Sequence, residues 1–324
     1  MDKLVIANMM RCKNKQAFFA LHQIQTKIFN VDPELQVEFH IVWDTDSTNP
    51  EKQDDPKWAM LIDEHIKNIH SYDREFLKNY MRTVYADANV ERFDVFVPGS
   101  YLILIAHYLR RVKLYDYYLI YDDDVLINYD FADIVELMKN KIPVLISEPM
   151  NVNCDKVLFN SFRQLFGEGF AERYQSRNPL FQGFNAGFQG IDLTIYDAFL
   201  SVDRFHELLS LILFKSIYRE DGTEIWGDER FLLDTQQQSM FSLMNVVLSK
   251  NTPHILDEEE YYVVPNYGYH PRFGQLHQED EMDGWIPNLK SKISHFIGHT
   301  RGEGKPRVFL AKMNEYLTNA GFDV

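Results

Sequence analysis

Cysteine is nearly missing from this chain: Cys12 and Cys154 are the only two in 324 residues. Two cysteines cannot build a disulfide framework, and neither stands in a metal-type spacing. Both read as reduced, partly buried thiols. Basic residues are also outnumbered. Lysine plus arginine count 33 against 48 aspartates and glutamates, a formal charge of −15. That disfavours a nucleic-acid partner, because such affinity comes from basic clusters, and it disfavours docking on anionic lipid. Long apolar runs are lacking as well. Tyr101–Ala106 and Leu208–Phe214 are far too short to span a bilayer. The N-terminus lacks the apolar core and cleavage site of a signal peptide. No Asn-x-Ser/Thr acceptor with x other than proline occurs. Together these absences predict a soluble, cytoplasmic protein without a transmembrane segment.

What is present points to a folded enzyme-sized domain. Hydrophobic residues make up 45% and aromatics 14%, enough to exclude a disordered chain. Lys3–Ala7, Val37–Trp43, Asp94–Val97, Tyr117–Tyr121, Pro143–Ser147 and Phe184–Ile191 read as strands. Gln16–Phe29, Trp58–Tyr85, Ser100–Arg111, Val202–Ile217, Gly227–Leu248 and Val308–Ala320 read as helical, and the polar stretch Ser47–Lys57 as a loop. Strands alternating with helices predict an α/β fold with a mixed, mainly parallel sheet. In such sheets, ligands bind beyond the carboxyl ends of the strands.

One such end carries the strongest chemical signal, Asp122-Asp123-Asp124 after the apolar strand Tyr117–Tyr121. Three adjacent carboxylates repel one another unless they are solvated or neutralised. Alternate residues on extended backbone share a side, so Asp122 and Asp124 would share one hard cation while Asp123 faces elsewhere. Mn²⁺ or Mg²⁺ held there would bind a diphosphate, which reconciles a phosphate ligand with an acidic chain. The plainer reading is an acidic turn. Asp44-Thr45-Asp46 repeats the pattern after another strand, but it leads into a polar loop and reads as a capped turn.

Four segments, in order along almost the whole chain, resemble the metal-dependent glycosyltransferases of the GT-A fold, of the glycogenin and lipopolysaccharide-galactosyltransferase type. They are Leu4–Asn8; Tyr118–Ile127; Phe184-Asn185-Ala186-Gly187 running on to Asp192-Leu193; and His295-Phe-Ile-Gly298 followed by Lys305-Pro306. The resemblance implies a GT-A sheet flanked by helices, with an irregular C-terminal segment closing over the nucleotide site. It divides the chain into a nucleotide-sugar-binding half (1–127), a donor and acceptor half (128–260) and a C-terminal metal and diphosphate segment (261–324). It implies Asp122, Asp124 and His295 as ligands of Mn²⁺ or Mg²⁺. Ala7, Asn8 and Asp123 would meet the nucleotide, Asn185 and Asp192 the donor sugar, and Gly298 and Lys305 the diphosphate. The implied partners are a nucleotide sugar, a UDP-sugar above all, and a glycan or other hydroxyl acceptor.

Two departures from the family pattern stand out. Six residues, His299–Gly304, separate Gly298 from Lys305 and lengthen the phosphate loop, so Arg301 would assist or replace Lys305. The arginine the family usually carries about six residues after a serine is Ala106 here, counted from Ser100. For the catalytic group, Asp228 and Glu229 open a helix whose N-terminus suits carboxylates, with Gln238 as the rival. Capping accounts for the acids equally well. The segment Tyr261–Phe273 would line an acceptor site or simply pack. Two other functions fit the Asp-x-Asp: a haloacid-dehalogenase-like phosphohydrolase with Asp122 as nucleophile, and a sugar- or nucleotide-binding protein without turnover.

Overall fold

A computed structural model describes residues 3–84, 101–147, 159, 162–163, 166–180, 183–199, 217–218, 224–225, 236–257, 260–264, 292–296 and 307–324. Strand β1 (Lys3–Met10) leads to helix α1 (Lys15–Val31), then β2 (Gln36–Trp43), α2 (Pro56–His65), β3 (Ile69–Asp73) and α3 (Arg74–Val84). Helix α4 (Tyr101–Arg111) precedes β4 (Tyr117–Tyr121), β5 (Val125–Ile127), α5 (Ala132–Lys139) and β6 (Val144–Ser147). Helix α6 (Glu168–Arg177) and β7 (Phe184–Asp192) follow, then the short pair β8 (Ile217–Tyr218) and β9 (Glu224–Ile225). Helix α7 (Gln236–Leu248), β10 (His254–Leu256), β11 (Tyr261–Val264), β12 (Ile293–Phe296) and α8 (Arg307–Asn319) complete the order.

Seven strands form one sheet in the order β10-β6-β7-β4-β1-β2-β3. Every neighbouring pair is parallel except those made by β7, which runs antiparallel to both β4 and β6. The sheet is therefore mixed and mainly parallel, as the sequence predicts. Two apolar clusters cover its faces, one built with α1, α2, α5 and α8, the other with α3, α4 and α7. Helix α4 is apolar on almost every side and is buried from Tyr101 to Ala106. At its exposed end, Arg110 forks onto Asp197 through Nε and Nη2, at 2.6 and 2.7 Å.

The helix expected over Trp58–Tyr85 is interrupted. Strand β3 lies between α2 and α3 and pairs with β2. Asn68 adopts a left-handed backbone, φ 54°, and its side-chain amide donates to the Val37 carbonyl at 3.1 Å. That turn ends the helical register and delivers Ile69–Asp73 to the open edge of β2. The Ser47–Lys57 loop holds a 3-10 turn at Pro50–Lys52, and α2 begins within its end at Pro56. Asp46 caps the turn after β2 by accepting from the Thr48 amide and hydroxyl. Of the expected Gly227–Leu248 helix, the described part starts at Gln236. The Asp94–Val97 strand and most of the Val202–Ile217 helix lie outside the described residues. Cys12 is buried, and burial pushes its thiol pKa up. Among the described residues no helix is long and apolar enough to cross a membrane.

A second, small sheet decides the architecture of the acidic end. β12 pairs antiparallel with β5 and parallel with β11. Buried Gln23 of α1 ties β5 down: its amide donates to the Val125 carbonyl at 3.1 Å, and its carbonyl accepts from the Ile127 amide at 2.9 Å. Gln23→Leu keeps the bulk but orphans the buried Ile127 amide and leaves the Val125 carbonyl to the Tyr121 hydroxyl alone. It is expected to lower unfolding free energy by about 2 kcal/mol. Urea unfolding followed by circular dichroism measures this, and an unchanged midpoint would contradict it.

Candidate active site

The C-terminal end of β4 continues directly into Asp122, Asp123 and Asp124, and β5 begins at the next residue. The Asp122 amide donates to the Gly187 carbonyl at 2.9 Å, so β7 holds the first carboxylate's backbone. The Asp124 carbonyl accepts from the Phe296 amide at 3.0 Å. Register does the rest: His295 of β12 sits opposite Val125 of β5. Its Nε2 lies 3.1 Å from Asp124 Oδ1 and 3.6 Å from Asp122 Oδ2. One ligand atom from each of the three residues falls within 4.8 Å of the others. Asp124 and His295 are buried, while Asp122 keeps its side chain 40% exposed. The cluster is thus closed on the protein side and open beside Asp122.

Asp123 turns away, as backbone alternation predicts. Gln16 of α1 donates to its Oδ1 at 2.7 Å.

The imidazole is held from behind. The Tyr261 hydroxyl lies 2.7 Å from His295 Nδ1 and donates to Asn185 Oδ1 at 3.3 Å. Asn185 Oδ1 also accepts from the Gly187 amide at 2.7 Å. With its proton directed to Asn185, the phenol oxygen accepts from Nδ1–H, and the lone pair falls on Nε2, facing the carboxylates. A lone pair and a carboxylate oxygen at 3.1 Å repel unless a proton or a cation lies between them. Two carboxylates and one imidazole form a mixed oxygen and nitrogen set that suits Mn²⁺.

Gly187 makes this packing feasible. A Cβ built there would lie 2.1 Å from His295 Cε1 and 2.2 Å from its Nδ1. Sequence reasoning matched Gly187 to a motif without giving it a role, and it left Tyr261 between packing and acceptor binding. Neither contact has a local signature, because each depends on a strand distant in the chain. Gly190, three residues on, gives the same kind of room to the Tyr117 ring, whose hydroxyl donates to the Ile142 carbonyl at 2.9 Å.

The structure gathers some expected residues and not others. Asn185 lies against the cluster through Tyr261. Asn8 is buried at the C-terminal half of β1, and its amide donates to the Tyr121 carbonyl. Ala7 is buried, with its methyl in the core, so only its backbone is left for a ligand. Asp192 is not brought to the cluster. It pairs with Tyr117 at the opposite end of β4, where its carboxylate accepts from Thr194 and from the Lys250 amide. Ala106 is buried in α4. Gln238 falls in α7, where only the backbone is described. Asp228, Glu229, Gly298, Arg301, Lys305 and the Tyr267–Phe273 segment lie outside the described residues.

The mixed, mainly parallel sheet flanked by helices is the GT-A architecture expected from the sequence, and solved glycosyltransferases share the fold. The bifunctional glycosyltransferase WbbM, in its apo form, is similar over 97% of this chain, with a TM-score of 0.51 and 14% identity. The chain spans half the length of that protein, 50% of it. The galactosyltransferase LgtC, solved with donor and acceptor sugar analogues, matches over 96% of each chain, with a TM-score of 0.43 and 13% identity. Mouse xyloside xylosyltransferase 1 matches over 94% of this chain and all of its own, with a TM-score of 0.45 and 12% identity. No family model matches the sequence, and no curated protein matches it either.

Gly187→Ala should displace the imidazole and uncouple it from Asp124 while leaving the fold intact. Tyr261→Phe should weaken Mn²⁺ binding by about 10- to 100-fold, through loss of the bond that orients the ring. Mn²⁺ titration followed by water-proton relaxation measures both effects. Wild-type affinity in both variants would refute this account of the ring.

Proposed function

We propose that the chain is a glycosyltransferase, moving a sugar from a nucleotide diphosphate donor to a hydroxyl of a glycan or other acceptor. The reading rests on the convergence of Asp122, Asp124 and His295 at the carboxyl end of β4 in a GT-A sheet. These three residues would hold Mn²⁺ or Mg²⁺, and the Nε2 lone pair set by Tyr261 fits that task. A cation bound there supplies positive charge to the donor diphosphate and to the leaving nucleotide.

The remaining work falls to the chain's own groups. The exposed flank of Asp122 faces the side from which a ligand would approach. Asn185 would meet the donor sugar, with its carbonyl oxygen already committed to Gly187 and Tyr261. The backbone at Ala7 and Asn8 would border the nucleotide base, and Gly298 and Lys305 the diphosphate. Asp228 or Glu229, or Gln238 in their place, would face the acceptor and manage the proton of its attacking hydroxyl. The resemblance in sequence favours a UDP-sugar. A phosphohydrolase with Asp122 as nucleophile loses support, because the likeness in fold is to a glycosyltransferase and His295 stands against both Asp122 and Asp124.

UDP- and GDP-sugars incubated with Mn²⁺ should reveal one donor whose hydrolysis releases nucleoside diphosphate, and chelation of the metal should stop it. Asp124→Ala and His295→Ala should each lower the rate by about 100-fold or more. Full activity in both variants would sink the assignment. Tight binding of Mn²⁺ and UDP without hydrolysis or transfer would identify a binding protein instead.

A further inference from the structure

A second constellation lies on strands β2 and β3, toward the N-terminal ends of the parallel strands. Glu38 and His40 alternate along β2 and therefore share one face of the sheet. His70 of β3 is the direct register partner of His40. The two imidazoles stack with centroids 4.5 Å apart and planes 19° apart. One ligand atom from each of Glu38, His40 and His70 lies within 4.8 Å of the others. We propose that these three residues form a binding site for a borderline divalent metal, Zn²⁺ by its donor set, independent of the Asp122–Asp124–His295 cluster.

Several observations beyond the cluster itself point to a ligand. His40 is fully buried, and its Nε2 has no hydrogen-bond partner among the described residues. A buried ring nitrogen without a partner costs free energy. Its nearest charged neighbour is Glu38 Oε2, at 3.9 Å, a separation that a shared cation would bridge. The other nitrogen, Nδ1, is engaged by the Tyr72 hydroxyl at 2.9 Å. That is how a metal-bound histidine is usually oriented by a neighbour outside the ligand set. Glu38 is fixed as well: Lys3 bonds Oε1, and Tyr115 donates to Oε2, which keeps a second lone pair. His70 is half-buried, with one side of its ring stacked on His40 and its residue lining the adjacent cavity.

Of the three residues, His70 lines an open cavity of about 510 Å³, with Tyr72, Ser71, Asp73, Tyr108 and Lys113 around it. Two imidazoles and one carboxylate are a zinc donor set that leaves a coordination position open. The Asp122 cluster has the harder set, two carboxylates and one imidazole, so the two sites should sort metals differently. A metal here would also tie edge strand β3, otherwise bonded only to β2 within the sheet, to its neighbour.

The test uses the full chain carrying Asp122→Asn and Asp124→Asn, which silences the other cluster, titrated with Co²⁺ and followed by its visible d–d absorption. This background should still bind Co²⁺, and Zn²⁺ should displace it. Adding His70→Ala should abolish the absorption. His70 is half-buried on an edge strand, and unchanged circular dichroism of that variant confirms that the loss is not one of fold. Adding Glu38→Gln should weaken binding by more than the about 10- to 100-fold expected for Tyr72→Phe. Zn²⁺ should raise the melting temperature of the background and not that of the His70→Ala variant. No Co²⁺ binding in the background, or binding unaffected by both His70→Ala and Glu38→Gln, would overturn the proposal.

Discussion

Two carboxylates at the end of one strand need positive charge, and a single imidazole from far along the chain is positioned to complete their surroundings. The rest of the structure around Asp122 and Asp124 can be understood from that requirement. β4 delivers the acids, and β5 stops them from trailing into solvent. β12 pairs with β5 so that His295 falls against Asp124. Gln23 satisfies the backbone of β5, Gly187 vacates the volume the ring occupies, and Tyr261 sets the ring's proton. Each of these costs something locally. A glutamine is buried, a side chain is forgone, and a phenol is withdrawn from water. The gain is an imidazole lone pair held in one direction beside two oxygens.

The acidic excess of the chain becomes more specific in this light. A charge of −15 suggests diffuse repulsion of phosphate. Several of the acids near the sheet are occupied instead. Asp44 pairs with Lys52 and Arg74, Asp116 with Arg110 and Lys141, and Asp133 with Lys292. Lys141, with Arg110, holds the Asp116 carboxyl below the usual range, and at Asp133 burial pushes upward but Lys292 and Tyr129 outweigh it. Those pairs are structural. The charge gathered at Asp122 and Asp124 is of another kind, concentrated beside the imidazole of His295.

Much of this was legible because local pattern and global fold agree at the centre of the sheet. A fully apolar strand ending in alternating acids can be read from neighbours alone, and so can the helix over Gln16–Phe29. His295 was reachable only through its Phe-Ile-Gly sequel. What could not be read depends on tertiary partners. Asn68 entered the left-handed region to open β3, and a pattern of apolar residues at helical spacing concealed it. With β3 hidden in a supposed helix, the pairing of His40 with His70 could not be seen. Gly187 and Tyr261 carry no local mark of their roles, since the atom each serves is on β12. Asp192 was placed with the donor sugar by its motif, yet the antiparallel run of β7 carries it to the far end of β4.

The pairing of β5 with β12 also sets an order of events. Residues 3–121 contain four strands of the main sheet and can begin to associate as soon as they are made. Among the described residues, the partner strand of β5 is β12, which is made only with residues 293–296. Closing that contact bridges about half of the sequence, and contacts so distant in sequence form late and slowly. In a growing chain Asp122 and Asp124 would therefore wait for their imidazole until residue 295 has been made.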